Sequence, residues 1–316
     1  MSPSPKDLVL SDLERRLALR TIVGFEALGD DSLVALSSLG RRREYGAGET
    51  IAALDGASEH ATLPLLLQGH LELVRDGQRW RGINAKRLLE LSWLARDTMP
   101  FTLETTDGAI VLELPLSALE EALEEHFPSW LATTRALAGW LVDARRNQPT
   151  TLERHALHRR PGLVERVAAL EEALPFARGY VDALLQLEEE ATEVRFDRGA
   201  VIWRRGETAH SLLVPLDGSL RGTIEGDGFG DADGDEPLGL GGLELLAGRT
   251  RTTQLEATQP LTALRLAEET LLDLLEDHHA LARDLTAMLA AAVIPLLESP
   301  SARLPAPSPP PAAGAR

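Results

Sequence analysis

"GFEALGDDSLVALSSLGRRREYGAGETI", residues 24–51, returns as "PFARGYVDALLQLEEEATEVRFDRGAVI", residues 175–202, at a constant offset of 151. The offset sets Phe25 on Phe176, Leu33 on Leu184, Leu36 on Leu187, Tyr45 on Phe196, Gly48 on Gly199 and Ile51 on Ile202. Further along, "TTDGAIVLELPLSALEEAL" matches "ATQPLTALRLAEETLLDLL" at offset 152, pairing Leu112 with Leu264, Leu114 with Leu266 and Leu119 with Leu271. Self-similarity held over such lengths is the mark of one structural unit used twice.

Each unit reads as a helical stretch, then short alternating strands, then a closing helix. In the first, "TLPLLLQGHLELV" and "GAIVLEL" carry strand character, with Gly69 and Gly108 as expected turn residues. Ser117 and Glu120 have the S-x-x-E spacing of a capping box, ahead of a helix interrupted at Pro128 and resuming toward Arg146. Helices around a small antiparallel barrel fit this order; a parallel sheet does not.

The 316 residues suffice for two domains with their own cores, and 44% hydrophobic against 26% charged residues is a globular balance. With no cysteine, disulfides, thiolate metal sites and cysteine nucleophiles are excluded. The N-terminal stretch has no apolar core of signal-peptide length, and the longest apolar run, Leu285 to Leu297, contains Pro295 and is too short to span a bilayer. A cytoplasmic protein without membrane insertion is expected. A net charge of −17 argues against nucleic acid or anionic lipid as partner, since both require a positive surface.

The expected division is a flexible N-terminus at 1–9, a first domain at 10–147, a linker at 148–162, a second domain at 163–298, and a disordered Pro/Ala-rich tail at 299–316. Around the linker, "RRNQPTTLERHALHRRP" has a local excess of arginine. It reads as a solvated helix between domains, with docking of an acidic partner or nucleic acid as the alternative.

The order of these signals resembles the cyclic nucleotide-binding domain family, the sensor of catabolite-activator-type regulators and of protein kinase A regulatory subunits. The residues that carry it are Phe25, Leu28 and Leu33, "YGAGETI", "LLLQGHLELV" and "LSALEEAL" in the first unit. In the second they are "FDRGAVIWRRGE", "LLVPLDGSL", "RTTQLEA" and "LAEETLLDLL". The resemblance covers residues 10–145 and 163–297. It implies an α+β, mainly β fold: two antiparallel jelly-roll-like β-barrels, each flanked by N- and C-terminal helices.

In that family the ligand sits in a phosphate cassette, G-E-x-A-L, with an arginine nine residues after the glutamate. Helix-start N–H groups and the guanidinium neutralise the cyclic phosphate, and the glutamate accepts from the ribose hydroxyl. In "LGLGGLELLAGRTRTTQLEA", residues 238–257, setting Arg251 on the family's arginine places Gly241 on its glycine and Gly242 where the glutamate belongs. Carried back by 152, Gly242 falls on Glu90 and Arg251 on Met99, with Arg96 three positions early. By resemblance, then, the second cassette keeps an arginine without a carboxylate, and the first a carboxylate without an arginine. The implied ligand residues are Gly239, Gly241, Gly242, Arg251, Thr252 and Glu90, for a possible cyclic AMP or cyclic GMP, with no cofactor or metal.

An alternative frame takes "GDGFGDADGDE", residues 226–236, as the cassette entry with Asp231 as its acid, which requires an eleven-residue insertion before Arg251. The same stretch alternates acids like a calcium loop, but it lacks the required glycine and terminal glutamate. An acidic hairpin loop in water is the simpler reading. A cupin-like metal enzyme would need an H-x-H pair, and none occurs; His155 and His158 are expected on one face of a helix in solvent. No helix-turn-helix segment is expected after the second closing helix. That helix, "DLTAMLAAAVIPLL", is apolar nearly all round and must be buried, against its own chain or in a homo-oligomer. These readings lead to a non-enzymatic regulatory or interaction protein with incomplete cassettes, acting through an unidentified protein partner. The alternative is a cyclic nucleotide sensor working through its second domain.

Overall fold

A computed structural model of the chain describes residues 5–51, 62–75, 77–96, 101–145, 152–157, 161–223 and 238–298. The acidic loop 225–236, the tail 299–316, Met99 and His158 lie outside the described residues. The chain forms two compact units, residues 5–136 with 286–298, and residues 137–285.

The elements that open the chain are α1 (Pro5–Leu19), α2 (Asp30–Leu39), β1 (Arg41–Tyr45), β2 (Thr50–Ile51), β3 (Thr62–Arg75) and β4 (Gln78–Arg81). Then come α3 (Gly82–Leu94), β5 (Thr102–Pro115), α4 (Leu116–Glu125) and α5 (Phe127–Arg145). The strands make one antiparallel sheet in the order β1-β5-β3-β4, with β2 also on β5. Gly69 and Gly108 are not turns: they bend the paired strands β3 and β5 from within, at φ +94 and +91. A Cβ on Gly69 would stand 2.3 Å from the Gly108 carbonyl oxygen, so the two backbones approach where a side chain has no room.

The remaining elements are β6 (Leu152–Leu157), α6 (Leu163–Ala173), α7 (Val181–Glu190), β7 (Thr192–Phe196), β8 (Val201–Trp203) and β9 (Ser211–Thr223). They continue with α8 (Gly242–Leu246), β10 (Gln254–Ala257), β11 (Leu261–Ala267), α9 (Glu268–Asp277) and α10 (His279–Glu298). The second sheet runs β7-β11-β9-β10-β8. The single long β5 of the first sheet is here divided into β10 and β11. Pro260 stands at the counterpart of Gly108, and a residue without an N–H cannot continue the ladder. A Cβ on Gly218 would lie 2.1 Å from the Pro260 carbonyl oxygen, repeating the Gly69–Gly108 approach.

The repeat positions are core positions. Leu33 and Leu36 on α2, and Leu184 and Leu187 on α7, are buried, as are Phe25 and Phe176 in the short 3-10 turns ahead of those helices. Leu119 and Leu271 bury the apolar faces of α4 and α9. In the second unit Trp203, Leu213, Leu220, Leu240, Leu255 and Leu261 share one apolar cluster, with Phe196 and Ile202 packed on it.

Two local expectations are corrected. The Ser117–Glu120 box does not cap α4: its N-cap is Pro115, no side chain bonds the helix start, and Ser117 lies inside the helix. The segment around the linker is not helical at residues 152–157, where β6 pairs antiparallel with β9 from Leu152↔Gly222 to Leu157↔Asp217. It takes the flank of β9 that the hairpin strand β4 takes on β3, so ladder hydrogen bonding outweighs the weak local preference of the segment. His155 is therefore a strand residue.

Among the described residues α10 alone is long and apolar enough to cross a membrane by length and composition, and half of that window is buried within the protein. Within the first unit, the buried Thr286 of α10 accepts a hydrogen bond from Trp130 Nε1 at 2.8 Å and meets the Thr134 hydroxyl at 3.2 Å. Buried hydroxyls are satisfied there rather than left to solvent or lipid.

Candidate functional site: the two cassettes

In the second unit the chain enters α8 through Gly241, which adopts φ +72 as N-cap. The Arg251 backbone is locked to the loop after β8: its N–H donates to Glu207 O at 2.8 Å and its C=O accepts from Gly206 N at 2.9 Å. The arginine side chain turns inward and is only 4% exposed. Nη1 donates to Gly241 O at 2.8 Å, Nη2 donates to Ser211 O, and the guanidinium carbon lies 4.1 Å from the centre of a Trp203 ring. Charge-assisted bonds to carbonyls and a desolvated cation–π contact, about 2 kcal/mol for the latter, offset the burial of the cation. Among the described residues neither Glu244 nor Glu256 pairs with the Arg251 guanidinium. Glu244 instead accepts from the Thr252 hydroxyl.

The glycines serve this packing. A Cβ on Gly241 would lie 2.0 Å from Arg251 Nη1, so the bare backbone makes the seat for the guanidinium. A Cβ on Gly242, where the resemblance puts the ribose-binding glutamate, would lie 2.7 Å from Leu238 Cβ and 3.5 Å from Leu212 Cδ2. Both leucines are fully buried, so a carboxylate built from this position starts among apolar side chains, where its charge is costly. Gly239 donates its N–H to Ala173 O at 2.8 Å. Gly241, Arg251 and Thr252 are thus brought together around α8, whereas Gly239 and Gly242 face backbone and core. Trp203 and Ser211 were not anticipated. Nothing in the sequence around Trp203 distinguishes it from the four other tryptophans, and a carbonyl acceptor leaves no mark on residue type.

In the first unit the corresponding segment is a helix of 13 residues rather than one turn. Glu90 is well inside α3, so its N–H is used by the helix and is not one of the free groups of a helix start. Its carboxylate is fully buried, 3.1 Å from Lys86 Nζ and 2.7 Å from Arg87 Nη1. Lys86 also donates to Thr21 O at 2.5 Å. Burial holds its ammonium below the ordinary value, while the Glu90 carboxylate acts in the opposite direction. Arg96, with φ +54, is exposed beyond the helix end. Among the described residues of its own unit, the structure therefore brings Glu90 together with Lys86 and Arg87 and not with Arg96. Among the described residues no three His, Asp or Glu side chains group as a metal site.

Fold and site together describe a tandem of two α+β units, each built on an antiparallel sheet. Solved structures are similar to the chain at low identity. One is the regulatory subunit of a cAMP-independent protein kinase A from Trypanosoma cruzi bound to guanosine, at 17% identity over 87% of each chain and a TM-score of 0.31. A second is the regulatory domain of Toxoplasma gondii protein kinase A with cAMP, at 15% identity over 92% of this chain and 99% of that one, TM-score 0.31. A cyclic nucleotide-binding-like protein from Brucella abortus is 22% identical over 35% of this chain and 98% of its own, TM-score 0.29. No protein-family model and no curated protein matches the chain.

Proposed function

We propose that the chain is a non-enzymatic regulatory protein of two β-roll units of jelly-roll type, which acts through a protein partner and does not take cyclic AMP or cyclic GMP as the family it resembles does. The observation that carries this reading is the state of Arg251: buried, bonded to the Gly241 and Ser211 carbonyls, and stacked on Trp203. To reach a phosphate it would have to abandon these contacts, and the loss of each charge-assisted bond costs about 1.5–3 kcal/mol. The first unit supports the same reading, because Glu90 is engaged by the cations of its own helix.

Thermal unfolding with and without nucleotide tests the proposal. A ligand at a hundred times its Kd stabilises the folded state by about 2.7 kcal/mol, which a melting curve resolves. The expected result is an unchanged Tm with either nucleotide at millimolar concentration, and a lowered Tm for Arg251→Ala without any ligand. A rise with nucleotide that Arg251→Ala abolishes would overturn the reading.

A further inference from the structure

The helical pair that opens the second unit leaves apolar side chains in solvent. Val164 on α6 is 76% exposed, and Val181 and Leu185 on α7 are 57% and 39% exposed. Two contacts set the helices antiparallel: Arg166 in the first turn of α6 meets Glu188 in the last turn of α7 at 2.6 Å, and Gly179, ahead of α7, donates its N–H to Glu171 late in α6. Val164 and Leu185 are the repeat counterparts of Leu13 and Val34 on α1 and α2, which are exposed as well. The same two helix positions are thus apolar and in water in both units.

The surroundings of these positions differ. The counterpart residues 12–39 mix Arg15, Arg16 and Arg20 with five acids, whereas residues 163–190 carry seven acids against Arg166 and Arg178. Arg166 is already held by Glu188 and Glu193. Glu165, Glu172, Asp182 and Glu189 have no ion pair among the described residues. Four-residue spacing aligns Val181, Leu185 and Glu189 along α7, and Val164, Ala168 and Glu172 along α6. Each row starts apolar and ends acidic.

We propose that this α6–α7 face docks a basic amphipathic helix of a partner protein. Its apolar side chains would cover Val164, Val181 and Leu185, and its lysines or arginines would face the four unpaired carboxylates. The proposal rests on the reading that the chain acts by contact with a protein.

The test uses the full chain and a labelled synthetic Leu/Lys peptide of about five helical turns with leucines at helical spacing, beside a scrambled peptide of equal composition. Fluorescence anisotropy should show the amphipathic peptide binding more tightly than the scrambled one, and binding should weaken as salt is added. Val164→Ser and Leu185→Ser should each weaken it about tenfold, as should Glu172→Lys combined with Glu189→Lys. Leu66→Ser, at an exposed position on β3, should leave it unchanged. Equal binding of the two peptides, or wild-type affinity in the α6 and α7 variants, overturns the proposal. So does a concentration-dependent dimer dissolved by Leu185→Ser, which would assign the face to a second copy. Nucleotide titrations are independent of all these outcomes, so failure here and failure of the cassette reading are told apart.

Discussion

Replacing Gly241 with alanine would put a methyl group where the Arg251 guanidinium now lies. The new Cβ would stand 2.0 Å from Nη1, 3.0 Å from Cζ and 3.3 Å from the Trp203 ring, so the arginine has to leave its seat. Two costs add. At φ +72, a residue with a Cβ is less stable than glycine by about 1–2 kcal/mol. The 2.8 Å bond from Nη1 to the Gly241 carbonyl is then lost, at about 1.5–3 kcal/mol for a charged donor. Gly241→Ala should therefore destabilise the protein by about 2.5–5 kcal/mol. If Arg251 is first changed to alanine, the obstacle is gone, and the same glycine substitution should cost only its backbone share, about 1–2 kcal/mol. Equilibrium urea unfolding of the four proteins, followed by far-UV circular dichroism, measures the cycle. A coupling of about 1.5–3 kcal/mol is expected. Effects that add to within about 0.5 kcal/mol would refute the packing of Arg251 on Gly241.

Three further outcomes follow from other parts of the molecule. Glu90→Gln strips the buried partner from Lys86 and Arg87 and should cost about 3 kcal/mol, the low end for a broken buried pair because both cations reach solvent; a loss below about 1 kcal/mol in urea contradicts the pairing. Tyr45 donates to Glu113 at 2.5 Å, and its hydroxyl is pushed up to about 12, by burial first and by Glu113 second. The native state thus holds this proton more tightly than the unfolded chain. The stability it contributes is complete below pH 10 and is lost as pH rises toward 12. In a Tyr180→Phe background, ultraviolet titration should show Tyr45 ionising near 12, and at a lower pH that is still above 10 once Glu113→Gln is added, because the burial remains; ionisation near 10 with Glu113 in place contradicts the geometry. Gly69→Ala and Gly218→Ala each drive a Cβ into a carbonyl oxygen at positive φ, so each should lower stability by about 3 kcal/mol or more. A neutral effect on the melting temperature at either site would mean the strands do not approach there.

The repeat made much of the fold legible, because helix periodicity writes itself into residue type. Leu33 and Leu36, like Leu184 and Leu187, had to be buried on one face. Strand β6 was not legible: "LERHAL" gains its conformation from the ladder of β9, a tertiary partner that no local propensity records. Gly69 and Gly108 were visible as special residues, but only the pairing of β3 with β5 distinguishes a bend inside two strands from a turn between them. At the cassette, the alignment of Gly241, Gly242 and Arg251 could be read directly. The partners that hold the arginine could not, since two are backbone carbonyls and the third, Trp203, lies far away in sequence. The charged neighbours of Glu90 were in plain view at i−4 and i−3. Their meaning depended on α3 being long enough to put all three on one helix.

Isothermal titration calorimetry of the full chain with cyclic AMP and cyclic GMP tests the central claim most directly. With Arg251 held by the Gly241 and Ser211 carbonyls, no binding heat is expected for either nucleotide up to millimolar concentration. Micromolar binding that Arg251→Ala removes would contradict this, showing that the guanidinium leaves Trp203 to take the phosphate and that the second cassette works.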